Sequence, residues 1–89
     1  MKFALGAWTA TGTSSVAVTA DDHRDGLAVQ NHASSTHAVY LGPGQTAMVG
    51  QGIELAPGGG VTLHGHMARL RLEAVTAPAG AAAGGFQAF

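Results

Sequence analysis

The stretch SSVAVTADDHRDGLAVQN, Ser14 to Asn31, decides the fold. It holds two short runs of alternating apolar residues, Val16 with Val18 and Leu27 with Val29, on either side of a segment crowded with aspartates. Alternation with a period of two marks a half-buried strand, because successive side chains of a strand point to opposite faces. Asp21, Asp22 and Asp25, gathered around His23 and Arg24, interrupt the pattern with residues whose carboxylates accept nearby backbone N–H groups and so favour turns. The unit is strand, turn, strand.

The same grammar extends in both directions. A polar loop, His32 to Thr36, leads into the β-rich His37-Ala38-Val39-Tyr40-Leu41, which stops at Gly42-Pro43-Gly44. A long loop from Gly42 to Gly52 then carries four glycines. Ile53-Glu54-Leu55 alternates, Ala56-Pro57-Gly58-Gly59-Gly60 turns, and Val61-Thr62-Leu63-His64 alternates again up to Gly65, a bulge or corner. From Ala68 to Val75 the spacing predicts an amphipathic strand, with Leu70 and Leu72 on one face and Arg69, Arg71 and Glu73 on the other. No stretch predicts a helix of useful length. These elements indicate an all-β protein, a small antiparallel β-sandwich or barrel of about six or seven short strands with glycine-rich loops and extended termini. The sandwich is expected over residues 14–76, with an N-terminal segment or arm over 1–13. Residues 77–89, rich in alanine and glycine, read as a C-terminal arm or as a last edge strand.

Composition narrows what such a domain does. In 89 residues the hydrophobic fraction is 46%, but aromatic residues supply only 6% and much of the remainder is alanine, so the core is thin. A small domain with a thin core is stabilised by disulfides, metals or association, and the absence of cysteine removes the first of these along with thiolate metal sites. Association with other chains, as a homo-oligomer or within a larger assembly, is therefore expected. Charged residues make up 10% of the chain and the net charge is −1, which provides no cationic excess to displace counterions from a nucleic acid. The N-terminal MKFALGAWTATG is broken by Gly6 and Thr9 and reads as mature sequence, and no run approaches the roughly 20 apolar residues that span a bilayer.

Catalysis needs a nucleophile or acid–base group beside an orienting partner, and the acids here are gathered in one turn. Asp21, Asp22 and Asp25 lack the ligand spacing of a calcium-binding EF-hand loop, and an Asx-type turn is the simpler reading. His64 and His66 form an H-x-H pair that a regular strand would present on one face at a separation suited to zinc, although Gly65 disturbs that geometry. They are weak metal candidates, with His32 and His37 as partners only if the fold brings them close, and no cofactor is expected. The glycine-rich segments at Gly42 and Pro57 lack the lysine and following helix of a phosphate-cradling loop. Phe3, Trp8, Phe86 and Phe89 sit in the terminal segments, where they serve either as core or as anchors on neighbouring subunits.

The order of these pieces resembles a family of small β-sandwich virion structural proteins of tailed bacteriophages, the head decoration and head-fibre-like proteins. The resemblance runs through the Ser/Thr-rich strand from Ser14, the Arg-containing turn Asp22-His23-Arg24-Asp25 and Gly26-Leu27-Ala28-Val29-Gln30-Asn31. It continues with Val39-Tyr40-Leu41-Gly42 and with Gly52-Ile53-Glu54-Leu55-Ala56-Pro57-Gly58-Gly59 leading into Val61-Thr62-Leu63. It covers Ser14 to Leu63, a pattern of many loosely specified positions, and the chain departs from it at the Ala/Gly-rich end. The resemblance implies fold-specifying roles for Arg24, Gly26, Gln30, Asn31, Pro57 and Gly58. It implies no enzyme but a capsid decoration, or cement, protein on the capsid exterior, bound to the major capsid protein or other virion proteins. A trimer is favoured, without nucleic-acid or membrane partners. Two other readings stand beside it: a tail, baseplate or fibre-associated adaptor or carbohydrate-binding module, favoured by an exposed Trp8 or Tyr40 in a shallow groove, and a small histidine-metal-binding β barrel.

Overall fold

A computed structural model describes residues 4–89. Eight strands form two antiparallel sheets. They are β1 (Ala4–Thr11), β2 (Ser15–Val18), β3 (Gly26–Asn31), β4 (Val39–Pro43), β5 (Ile53–Leu55), β6 (Gly60–His64), β7 (Leu72–Val75) and β8 (Ala81–Ala88), with a single helical turn, α1 (His66–Arg69), between β6 and β7. Sheet A has the order β1-β8-β3-β6 and sheet B the order β2-β7-β4-β5. The chain crosses between sheets at every connection except the β4–β5 hairpin. Two four-stranded sheets in these orders make the jelly-roll arrangement of an antiparallel sandwich.

Strand pairing places complete rows of side chains on the inner face of sheet A. One row runs Ala4, Ala88, Leu27, Leu63 and the next Gly6, Phe86, Val29, Val61. Leu27 and Val29 are buried there, as their alternation predicts, and they meet Val39, Leu41, Leu55, Leu72 and Ala74 from sheet B in the common core. Three aromatic rings lie on three glycines. Trp8 stands directly opposite Gly84 and Phe86 directly opposite Gly6, while Phe89 covers Gly26 at the end of β3. In each case a Cβ on the glycine would lie within 2.4 Å of a ring carbon, closer than any real contact.

The buried polar groups are clamps. The Arg24 guanidinium, 4% exposed, donates to the carbonyls of Ala68, Thr19 (3.1 Å) and Leu70 (3.1 Å). Burial pulls its pKa below the ordinary arginine value, with the charge of Asp21 acting in the opposite direction. Asn31 is fully buried, and its amide nitrogen donates to His37 O at 3.1 Å and Leu55 O at 3.0 Å, tying β3 of sheet A to the chain of sheet B. Pro57 and Gly58 form the centre of a turn closed by Gly59 N–H to Ala56 O at 2.7 Å, and φ of +84° at Gly58 requires the glycine.

Four sequence expectations are corrected. Val16 and Val18 do not share a face: the register shifts between them, leaving Val18 buried and Val16 exposed, because a bulge inserts one unpaired residue. The strand expected from Ala68 starts only at Leu72, since Gly65 at φ +60° turns the chain into α1 and Arg24 holds the Ala68 and Leu70 carbonyls. The described part of the N-terminal segment is a sheet strand rather than an arm. The C-terminal segment is neither arm nor edge, because β8 lies between β1 and β3, its Gly84 accepting the Trp8 ring, which makes up for the missing side chain.

Two outcomes check this packing. Gly84→Ala drives a methyl into Trp8 and the Gln30 carbonyl and is expected to cost about 3 kcal/mol or more by overpacking, whereas Gly85→Ala, whose Cβ would meet nothing nearer than 3.4 Å, is expected to cost less than about 1 kcal/mol, both read from denaturant midpoints. Asn31→Asp sets a carboxylate against two carbonyl oxygens. Burial raises that carboxyl's pKa in the folded state, so the variant is expected to lose about 3 kcal/mol at neutral pH. It should recover as the pH falls toward the unfolded value of about 3.9, because the folded state binds the extra proton.

Candidate interaction surface

The residues singled out in the sequence are mostly committed to the fold. Trp8 is 4% exposed, with its indole N–H donating to Gly85 O at 3.2 Å. Phe86 is half-buried against the core. Phe89 is half-buried over Gly26 and meets His64 edge-to-face at 6.5 Å. Phe3 lies outside the described residues. The exposed Trp8 that a sugar-binding groove called for is therefore absent, and Tyr40 is half-buried on the outer side of sheet B. Arg24, Gly26, Asn31 and the Pro57-Gly58 turn sit at structural points, whereas Gln30 is exposed.

The histidines and aspartates are dispersed. His64 ends β6 and His66 opens α1, with the turn at Gly65 between them. Among the described residues no three metal-ligating side chains come together. Asp21 Oδ1 accepts the His23 N–H at 2.9 Å, an Asx turn, and Asp25 pairs with Arg69 at 3.4 Å.

What sequence reading missed is the outer face of sheet A. Its rows follow from the register: Leu5, Gln87, Ala28 and Thr62 cross all four strands, followed by Ala7, Gly85, Gln30 and Gly60, with Thr9 beside Ala83 and Thr11 beside Ala81 beyond them. None of these residues carries a formal charge. Leu5 is 71% exposed, and a shallow depression of about 540 Å³ is lined by Leu5, Ala28, Gln30, Thr62 and Gln87. A neutral face lets another surface dock with little charge to desolvate. The available signal was the off-phase residues of the same alternating strands, which are alanine, glycine, threonine and glutamine where a solvated sheet face would carry lysine and glutamate.

The outer face of sheet B differs. The loop after β4 folds back over Gly42, with Gln45 and Ala47 against it, and Ser14 Oγ accepts the Ala47 N–H at 3.0 Å. The same hydroxyl donates to Glu73 at 3.0 Å, and Arg71 reaches the other Glu73 oxygen at 2.9 Å. Glu54 also stands on this side, opposite Tyr40. One broad face is roofed and charged, the other open and neutral.

Comparison with family models, with curated proteins and with solved structures gives no match.

The hydrogen bonds from Arg71 and Ser14 hold the Glu73 carboxyl below its ordinary pKa. A carboxyl depressed in the folded state stabilises it above the unfolded value, about 4.3, and that contribution is lost as the pH falls through the folded value. The melting temperature of the wild type is therefore expected to exceed that of Glu73→Gln at neutral pH, with the gap closing in acid below about pH 4.

Proposed function

We propose that this chain is a non-enzymatic structural protein of a virion, a decoration protein that binds the major capsid protein lattice on the capsid exterior. The observation that carries the reading is the open outer face of sheet A, uncharged from Leu5 across to Thr62. Two further features support it. The jelly-roll arrangement recurs in viral capsid domains, an argument from fold alone. The Ser14 to Leu63 pattern resembles head decoration proteins, and its Arg24, Asn31 and Gly58 occupy structural positions in this sandwich.

In such a role no bond is made or broken. Each copy contributes apolar area removed from water, about 25 cal/mol per Å² before binding costs, and the gain accumulates through repetition over a shell. Rigidity matters, because a face supplied by regular strands loses little entropy on docking. A second reading, a tail or fibre module that binds carbohydrate, draws on the depression, where the amides of Gln30 and Gln87 and the hydroxyl of Thr62 line one shallow site.

Quantifying the chain against the major capsid protein in purified particles separates the two. A stoichiometry comparable to the capsid protein, retained on tailless heads and reduced by Ala28→Glu on the neutral face, is the expected outcome. A few copies leaving with the tail would favour the second reading, and absence from particles would remove both.

A further inference from the structure

Every open-ended sheet has edges whose unpaired N–H and C=O groups invite another strand, and proteins protect them by shortness, bulges, charge or proline. Three of the four edges here are protected in these ways or limited in length. β2 has four residues and a bulge, β5 has three residues and carries Glu54, and β6 has five and begins at Gly60. β1 has none of these defences. It runs for eight residues in unbroken register with β8 and contains no charged residue and no proline.

The direction of its free groups follows from the ladder. Phe89 and Gly26 exchange hydrogen bonds, so the odd-numbered residues of β8 face β3, as the Ala83 carbonyl does in accepting from His32 N–H. The even-numbered residues of β8 therefore face β1 and bond to Gly6, Trp8 and Ala10. That leaves the backbone groups of Leu5, Ala7, Thr9 and Thr11 pointing away from the sheet. Thr11 O accepts Thr76 N–H at 2.8 Å, but among the described residues nothing pairs with the outward groups of Leu5, Ala7 or Thr9.

We infer that β1 pairs antiparallel with β1 of a second copy about a twofold axis at Ala7, which joins two A sheets into one. In that register Ala7 meets the partner's Ala7 and Leu5 meets the partner's Thr9, so the three free residues become mutually bonded pairs. A strand that meets itself brings each of its charges against another of the same sign or leaves it unpaired, and β1 carries none. The residue at the axis is alanine, so no bulky side chain meets its own copy. Leu5, 71% exposed in the single chain, gains the partner's threonine methyl as a neighbour. The neutral outer face continues across the axis, which doubles the open surface. This pairing stands independently of the virion reading. It replaces the threefold association expected from sequence with a twofold one.

Sedimentation equilibrium of the full chain tests it, with circular dichroism to confirm folding of each variant. The wild type is expected at twice the chain mass. Ala7→Lys and Ala7→Glu, exposed substitutions that set like charges against each other at the axis, are each expected as monomers, and their equimolar mixture as a heterodimer. Gln51→Lys, on the loop over sheet B, is expected to stay dimeric. Amide exchange of Leu5, Ala7 and Thr9 should be protected in the wild type and fast in the two charged variants. A wild type monomeric at all concentrations would overturn the proposal, as would a trimer or a dimer indifferent to both Ala7 charges. Should one charged variant fail to fold, the other and the amide exchange of the wild type decide.

Discussion

The contact on which the rest of sheet A depends is the indole of Trp8 lying on Gly84. A tryptophan pointed into a sandwich this thin needs a neighbour with no side chain, and the residue directly across the ladder is a glycine. Phe86 on Gly6 repeats the arrangement two residues along in each strand, with the ring now on the other partner. The two pairs interlock. A slip of one residue between β1 and β8 would put the two rings on opposite faces of the sheet and leave both glycines bare, so the register is set by shape as well as by hydrogen bonds. Phe89 on Gly26 continues the scheme to β3 on the outer face, and through these rings the last strand is held between the first and the third.

Two polar side chains then join what the aromatic pairs align. Asn31 lies within the core and links the sheets through the carbonyls of His37 and Leu55. Arg24 does the same for the irregular chain around α1, donating to the carbonyls of Ala68 and Leu70 and to that of Thr19 just past the end of β2. Both stabilise by supplying hydrogen bonds whose loss would cost more than their formation gains. With so little apolar volume available, specificity of this kind substitutes for bulk.

Much of this was legible in the sequence, and the failures have physical causes. The alternation of Leu27 with Val29, the aspartate-rich turn and the Pro57-Gly58 turn were correctly read, because each is decided by neighbours in the chain. The Ala/Gly-rich segment from Ala81 was misread as a tail or edge because glycine in a strand looks like disorder until its partner is known. Gly84 belongs to a strand only because Trp8, far away in sequence, covers it. The bulge between Val16 and Val18 and the late start of β7 at Leu72 were also invisible, since both depend on contacts between segments distant along the chain. Of the expected residues, Gln30 falls on the open face and Gly26, His64 and Phe89 lie in phase with it at one end of sheet A; among these only Phe89 was singled out as an anchor. The exposed phase of a strand is easily passed over when attention follows the buried one.

The position of β8 also governs the order in which the molecule can be assembled. β1 and β3 are not joined in sheet A until β8, the last strand in sequence, has been laid between them. While the polypeptide is being synthesised, sheet B and the β3–β6 pair can begin to form, but β1 must wait with its apolar face unpaired. Closure links positions almost the whole chain apart, the kind of long-range step that slows folding and leaves strands open to wrong partners in the meantime. A ribosome that stalls or terminates shortly before Ala81 would release a half-built sandwich, with the ring of Trp8 exposed and no glycine to receive it.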